Sequence, residues 1–441
     1  MATSDNFNDD SLHPPALDHQ SPDEAGCPLS WAMLDARAYI ADRRNTTTAY
    51  GRTSTGVEIQ VTFCTASPPV VSYFCVWCPE EPDLAKLYAE PRIIAAEADI
   101  VVLGVGLCFP NRSYGPQNQD IFVYQAGGWA KAPSLHLVRY PGIHLYFNVG
   151  ILHHPNHNNQ NEDPVYIVGF DPSERPWEFT VNLYNSKAES WSSFMVSLGR
   201  QHQHSQFRHS ASKVIMMGED DLMGFVDLRR GILFCDVLAC TRLYYIPFPK
   251  PLKLKQQQGP DPIVSRNIAV VQDDIKVVDC SRCSISGLWK VSVWSRKAAS
   301  LEEHWNMDHT LEICDNLVDS TTTLHFELLP MLDVDGIPRR TLEGLHISYP
   351  TLSLDNDDIV YFMAKVEPWD KDAWVLAVDM GTKKLKDVGV FRAERCSGAT
   401  ISYIHSRITK YFSSSSGMKG DLKRLGPLLP GSPCKKHSGV V

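Results

Sequence analysis

Two pairs of cysteines and two runs of histidines are the residues of this chain whose types and spacing lend themselves to chemistry. Cys75-Val-Trp-Cys78 and Cys280-Ser-Arg-Cys283 each set two thiols at C-x-x-C spacing, and four thiolates arranged tetrahedrally hold a structural zinc. Both pairs fall in strand-like stretches, where residues three apart point to opposite faces, so each needs a local turn before it can chelate. Reduced thiols packed as small hydrophobes are the plainer expectation. His153-His154-Pro-Asn-His157 offers three imidazoles to a transition metal, and the run from His202 to His209 offers more. Both lie in Asn/Gln/Ser-rich linkers, where histidines are ordinarily solvated. The candidate metal residues are therefore His153, His154, His157, Cys75, Cys78, Cys280 and Cys283, and no resident cofactor is expected.

Other chemistries lack their signatures. There is no G-x-S-x-G elbow and no G-x-x-x-x-G-K-[ST] loop. Gly104-Val-Gly106 lacks the third glycine and the following helix of a dinucleotide fingerprint. The acidic clusters Glu219-Asp-Asp221, Asp273-Asp274 and Asp355-Asn-Asp-Asp358 each precede an apolar strand start, as acidic hairpin turns do. No catalytic residue is assigned. For recognition, Glu174-Arg-Pro-Trp177 and Glu367-Pro-Trp-Asp-Lys-Asp372 are Pro-bearing loops carrying Trp, and desolvated Trp and Arg dominate binding energy. Arg175, Trp177 and Trp369 are the expected partner contacts.

The elements that must hold these residues are strands. Val57, Ile59, Val61 and Phe63 recur at period two, as in a half-buried strand, and similar runs follow through Ile401–404, punctuated by Gly, Pro, Asn and Asp. Helical stretches are few: Asp83 to Tyr88 and Ala298 to Met307. One hairpin pattern recurs, a strand, a polar turn and a strand opening with Trp, anchored at Val123, Val181, Val226, Val291 and Val378. The anchors lie 58, 45, 65 and 87 residues apart, and the last gap has room for another copy. A sheet hairpin repeating at this interval reads as an all-β, β-propeller-like fold of about six irregular blades, with residues 57–77 closing the ring against the C-terminal strand. The alternative is two β-sandwich domains.

The composition agrees with a folded body between unstructured ends. Of 441 residues, 43% are hydrophobic and 21% charged, which excludes a disordered chain, a collagen and a coiled coil. A net charge of −9 argues against a duplex nucleic acid partner. Residues 1–28 read as a disordered acidic, Pro-rich tail, 29–412 as the propeller-like domain and 413–441 as a flexible basic tail. The start lacks a basic and apolar leader, and no window is apolar enough to span a membrane, so an intracellular protein, cytoplasmic or nuclear and not secreted, is expected.

Several segments carry a resemblance. Trp31 to Asp42, Val61 to Cys75, Val226 to Asp236, Tyr244-Tyr-Ile-Pro247 and Ser265 to Val270 are similar to a plant family, expanded in grasses, known as domain of unknown function 1618. That resemblance implies a propeller-like body akin to F-box-associated and kelch-like domains, and it implies no activity and no transferable catalytic residues. The helical adaptor-binding motif of F-box relatives has no counterpart in residues 1–50. The reading is a non-enzymatic protein–protein interaction module, monomeric, displaying loops on a rigid scaffold to a protein partner. The alternative is a hydrolase or lyase with its site in the central channel.

Overall fold

The computed structural model describes residues 9–16, 29–79, 90–106, 119–127, 131–139, 149–153, 164–199, 207–217, 222–239, 243–249, 261–298, 304–319, 321–355, 357–392 and 402–412. Among these there are strands and short 3-10 turns and no α-helix. The strands form six four-stranded sheets and two small pairs.

In the first sheet, β3 (Ala49–Arg52), β4 (Glu58–Cys64) and β5 (Tyr73–Trp77) are antiparallel, and the short β2 (Tyr39–Ile40) runs parallel beside β5. It is preceded by β1 (Ala32–Asp35). The other five are simple meanders. The second contains β6 (Arg92–Glu97), β7 (Ile100–Gly106), β8 (Gln119–Gln125) and β9 (Ser134–Val138). The third contains β10 (Val149–Leu152), β11 (Tyr166–Pro172), β12 (Glu178–Asn185) and β13 (Ser190–Ser197). The fourth contains β14 (Lys213–Met216), β15 (Leu222–Asp227), β16 (Gly231–Asp236) and β17 (Leu243–Pro247). The fifth contains β18 (Arg266–Val271), β19 (Asp274–Arg282), β20 (Trp289–Lys297) and β21 (Asn306–Ile313). A hairpin, β22 (Met331–Val334) and β23 (Ile337–Arg340), then precedes the sixth sheet of β24 (His346–Leu352), β25 (Ile359–Lys365), β26 (Asp372–Asp379) and β27 (Lys384–Arg392).

The cores show that these sheets form a ring. Sheets two to six each bury both faces against their neighbours, as period-two strands that are apolar on both sides require, whereas the first buries one face in a main core and the other in a small cluster of its own. Phe63, Phe74, Val101 and Phe122 join sheets one and two, and Val102, Ile121, Ile151 and Ile167 join two and three. Phe170, Phe179, Phe225 and Leu233 join three and four, with Phe170 and Phe225 stacked at 4.0 Å. Val226, Ile232, Ile268 and Val277 join four and five. Val278, Val291, Ile347 and Phe362 join five and six. The first strands of successive sheets neighbour one another, which places them around the axis. This is a six-bladed β-propeller, not two sandwiches.

Closure corrects one expectation. The C-terminal β28 (Tyr403–Ser406) pairs antiparallel with β1, Ala32 opposite Ser406 and Leu34 opposite Ile404, and not with residues 57–77. Every residue of β1 is buried: Trp31 and Met33 enter the core of the sixth sheet, whereas Ala32 and Leu34 enter that of the first two. Its sequence, Ala-Met-Leu-Asp, lacks the polar–apolar alternation that marks a half-buried strand, so pattern reading passes over it.

Four of the five repeated hairpins join the third and fourth strands of sheets two, three, five and six, and the one at Val226 joins the second and third strands of sheet four. The gap after Val291 holds no further blade. It holds an insertion, residues 314–345, whose hairpin is pinned by Asp315 accepting from Thr341 Oγ1 and the Leu342 amide. Where a helix was expected over Ala298–Met307, residues 306–307 already belong to β21, and 299–303 lie outside the described residues, as does Asp83–Tyr88. Residues 9–16, inside the stretch expected to lack structure, make a short turn (Asp9–Leu12) docked by Tyr73 Oη donating to the Pro15 carbonyl, and Leu12 packs on the core between sheets one and two. Among the described residues no helix is long and apolar enough to cross a membrane.

Candidate functional site

In sheets two to six the strands alternate direction from the axis outward. First-to-second and third-to-fourth connections therefore leave one rim, here the upper, while second-to-third connections and the links between sheets leave the lower. Three places on this frame gather reactive or sticky side chains.

The first is the channel. At the lower end of β14, Lys213 Nζ donates to Asn267 Oδ1 (2.6 Å) and to the Ile268 carbonyl (2.7 Å) of the next sheet. Burial pushes its ammonium down to about 7. Among the described residues no carboxylate lies within ion-pair distance of it. His405 of β28 sits close enough to feel both Lys213 and Arg407, and burial first, then those two cations, holds its imidazole well below the ordinary value. Its Nδ1 is buried with no hydrogen-bond partner. Arg407 donates to the Leu354 carbonyl (3.0 Å), and Glu97 is raised by burial against the pull of Arg407. These groups favour an acidic ligand over a cation.

The second is a small, open cleft at the upper rim between sheets five and six, lined by Lys276, His309, Asp357, Asp358 and Met380. Asp358 is held between His309 (3.3 Å) and Lys276 (3.8 Å), so it fastens one sheet to the next. Asp355 accepts from Ser30, and Asp357 accepts from the Ile359 amide (3.2 Å). The acidic run is thus used up in structure.

The third is apolar. Of thirteen large hydrophobic side chains exposed among the described residues, eight lie between residues 285 and 390. Ile285 (96% exposed) and Trp369 (78%) cap the second-to-third loops of sheets five and six, and in the hairpin of the insertion between them Ile337 (66%) flanks the turn and Met331 stands at the base. Ile285 and Trp369 leave the lower rim, from which the chain also enters the insertion. They are rigidly mounted: Glu367 and Asp370 close a tight turn around Trp369, and Arg340 donates to the Glu327 and Leu329 carbonyls beneath the hairpin.

The sequence-predicted residues distribute as follows. Trp369 stands free. Trp177 leaves the same rim on the opposite side of the ring but is half-buried against the core of sheets three and four, and Arg175 is exposed and paired with Glu178 (3.0 Å). His153 Nδ1 lies 2.8 Å from Asp99 Oδ1, a buried pair linking sheets two and three. Burial works against the charge on Asp99, and hydrogen bonds from His153 and Gln125 overcome it, leaving the carboxyl below its usual range. His154 and His157 lie outside the described residues. Cys75 and Cys78 belong to the first sheet and its edge, Cys280 and Cys283 to the fifth and its following turn, and these sheets are not neighbours in the ring. Among the described residues no three His, Cys, Asp or Glu side chains converge as a metal site. Sequence reading missed Lys213 and His405. Lys213 had one signal, a lone charge opening the apolar run Val214–Met217.

Comparison with known proteins adds a family over part of the chain. Residues 225–361 match the profile of the family described as Protein of unknown function (DUF1618). No curated protein matches. Solved structures that align include the α-L-arabinofuranosidase Arb93A of Fusarium graminearum bound to an iminosugar inhibitor, at 9% identity over 83% of this chain and 98% of that one, with a TM-score of 0.30. The Penicillium chrysogenum α-L-arabinanase bound to arabinobiose aligns at 8% identity over 83% and 99%, with a TM-score of 0.27. At such scores neither likeness bears on activity.

Proposed function

We propose that this protein is a non-enzymatic intracellular interaction module, its partner a protein that docks on the lower rim of sheets five and six. The observation that carries the reading is the concentration of exposed apolar side chains at Ile285, Met331, Ile337 and Trp369 on well-anchored turns. Scattered exposed hydrophobes are ordinary on any surface, but a cluster sharing one rim, rimmed by polar residues, is the usual mark of a docking site. Pre-organised turns lower the entropy lost on binding, and a central Trp is the commonest anchor.

The test compares the wild-type chain with Trp369→Ala/Ile337→Asp and with Met195→Asp, an exposed position on β13 away from the rim. With melting curves unchanged, a partner cross-linked to wild type and to the Met195 variant drops at least about tenfold in the double variant. Equal recovery in all three would overturn the reading. The channel supports a second reading, binding of a small acidic ligand or catalysis on it, because the Lys213 and Arg407 cations both act on the buried His405 and, among the described residues, no carboxylate lies within ion-pair distance of Lys213. Its sign would be a Lys213→Met variant that loses ligand-induced thermal stabilisation.

A further inference from the structure

The first sheet holds a pair of thiols with the geometry for redox chemistry. In the β4–β5 ladder, Cys64 is opposite Tyr73 and Thr62 is opposite Cys75, so Cys64 and Cys75 are diagonal neighbours on one face. That face does not carry the main core, which takes Ile59, Val61, Phe63, Phe74 and Val76 from the other side. It carries a separate small cluster of Tyr39, Tyr73 and Cys75, against which Cys64 packs. The register sets the Cys64 and Cys75 side chains beside each other, while Tyr73, directly opposite Cys64, donates its hydroxyl to the Pro15 carbonyl. Both cysteines are reduced.

Their surroundings divide the work between them. The loop before β3 passes over this face, its Arg43 carbonyl held by Gln60 Nε2 (2.8 Å) and Thr62 Oγ1 (2.6 Å), and the Arg43 cation reaches Cys64 electrostatically. Cys64 is half-buried, open enough for a small oxidant, whereas Cys75 is buried. The bond with Cys75 lowers the Cys64 thiol, burial opposes this, and Tyr73 and Arg43 lower it further. An electropositive, partly open thiol beside a second thiol is where oxidation selects.

We infer that Cys64 and Cys75 form a reversible disulfide, with Cys64 as the attacking thiolate and Cys75 as the resolving thiol, and a peroxide as the oxidant. The Cys64 thiolate attacks one peroxide oxygen, the O–O bond breaks, hydroxide leaves and takes a proton to become water, and Cys64 becomes a sulfenic acid. Cys75 then attacks the Cys64 sulfur, the S–O bond breaks, and a second water leaves. Two thiols and one hydrogen peroxide give one disulfide and two waters. A dithiol reductant reverses the step by two exchanges.

The full-length reduced protein is treated with stoichiometric hydrogen peroxide, blocked with iodoacetamide and digested without reduction using chymotrypsin, which cuts between the two cysteines. Mass spectrometry should find a Cys64–Cys75 linked product two hydrogens lighter, abolished by dithiothreitol. Cys75→Ser should leave Cys64 as a sulfenic acid trapped by dimedone, and Cys78→Ser should leave the disulfide intact. In the untreated protein Cys64 should alkylate at least about tenfold faster than the buried Cys235 and Cys280. A Cys64–Cys78 or intermolecular product, or a Cys64 that alkylates as slowly as Cys280 and stays unoxidised, would overturn the inference.

Discussion

His209 folds in its neutral form, its Nε2 3.0 Å from the Phe225 carbonyl and its ring edge-on to Phe179 and Tyr245. Burial pushes its pKa down to about 4, against the pull of Asp227. A histidine lowered by folding contributes stability that is whole above its unfolded value of about 6.5 and is lost as the pH falls toward 4. A shift of that size is worth about 3 kcal/mol. The thermal midpoint is therefore expected to fall between pH 7 and 4.5, and His209→Gln, which cannot titrate, should flatten that fall. Equal slopes in both proteins would assign the acid sensitivity elsewhere. Arg266 makes the opposite case, a buried charge that must stay paired. Only 1% exposed, it reaches Asp279 Oδ1 (2.9 Å) and the Leu228 carbonyl (2.8 Å) between sheets four and five. Burial still raises Asp279 despite the guanidinium, so desolvation outweighs the attraction. Removing one partner strands the other, and Arg266→Met is expected to cost about 3–5 kcal/mol in urea unfolding. Arg266→Met/Asp279→Val should recover most of the loss, because both charges then disappear together.

Among the elements, the repeated Trp has a structural purpose that its sequence pattern only hinted at. Trp191, in the fourth strand of sheet three, donates to the Arg139 carbonyl just past the fourth strand of sheet two, and Trp305, just ahead of the fourth strand of sheet five, donates to Pro247 at the end of the fourth strand of sheet four. Each indole ties the outer edge of one sheet to the sheet before it. That tie accounts for the strand, turn and Trp in sheets three and five, and the five recurring hairpins mark sheets two to six. The first sheet was not legible, because its inner strand comes from β1 and β2, which are short and buried throughout, and because its closing partner is more than 360 residues away. The channel groups escaped for a related reason: Lys213 lies nearly 200 residues before His405 and Arg407, and only the ring brings it near them. Closure itself is testable. A chain ending at Arg392 loses β28 and the 3-10 turn after it, and with them the buried Tyr403 and Ile408, each worth roughly 1.5–3 kcal/mol. Its unfolding free energy in urea should drop by several kcal/mol and its near-UV dichroism should collapse. An unfolding free energy within about 1 kcal/mol of wild type would mean the ring holds without its latch.

For the molecule as a whole, the insertion 314–345 changes what the ring shows to solvent. It lies along β27, with the Leu324 amide on the Lys386 carbonyl, His325 on Asp387 and Lys384 on Asp319, and so covers an outer edge that another sheet would otherwise extend. With that edge masked and, on the proposed function, the apolar rim taken by a different protein, light scattering at micromolar concentration should return the mass of one chain. A dimer that Trp369→Ala returns to one chain would instead make a second copy the occupant of the rim. The latch between β1 and β28 also has a temporal side. Residues 32–35 leave the ribosome roughly 20–70 s before their partner at ordinary elongation rates. Through most of that interval Trp31 and Met33 have no sixth sheet to enter, so the nascent chain depends on whatever shields these residues until the sixth sheet and β28 have been translated.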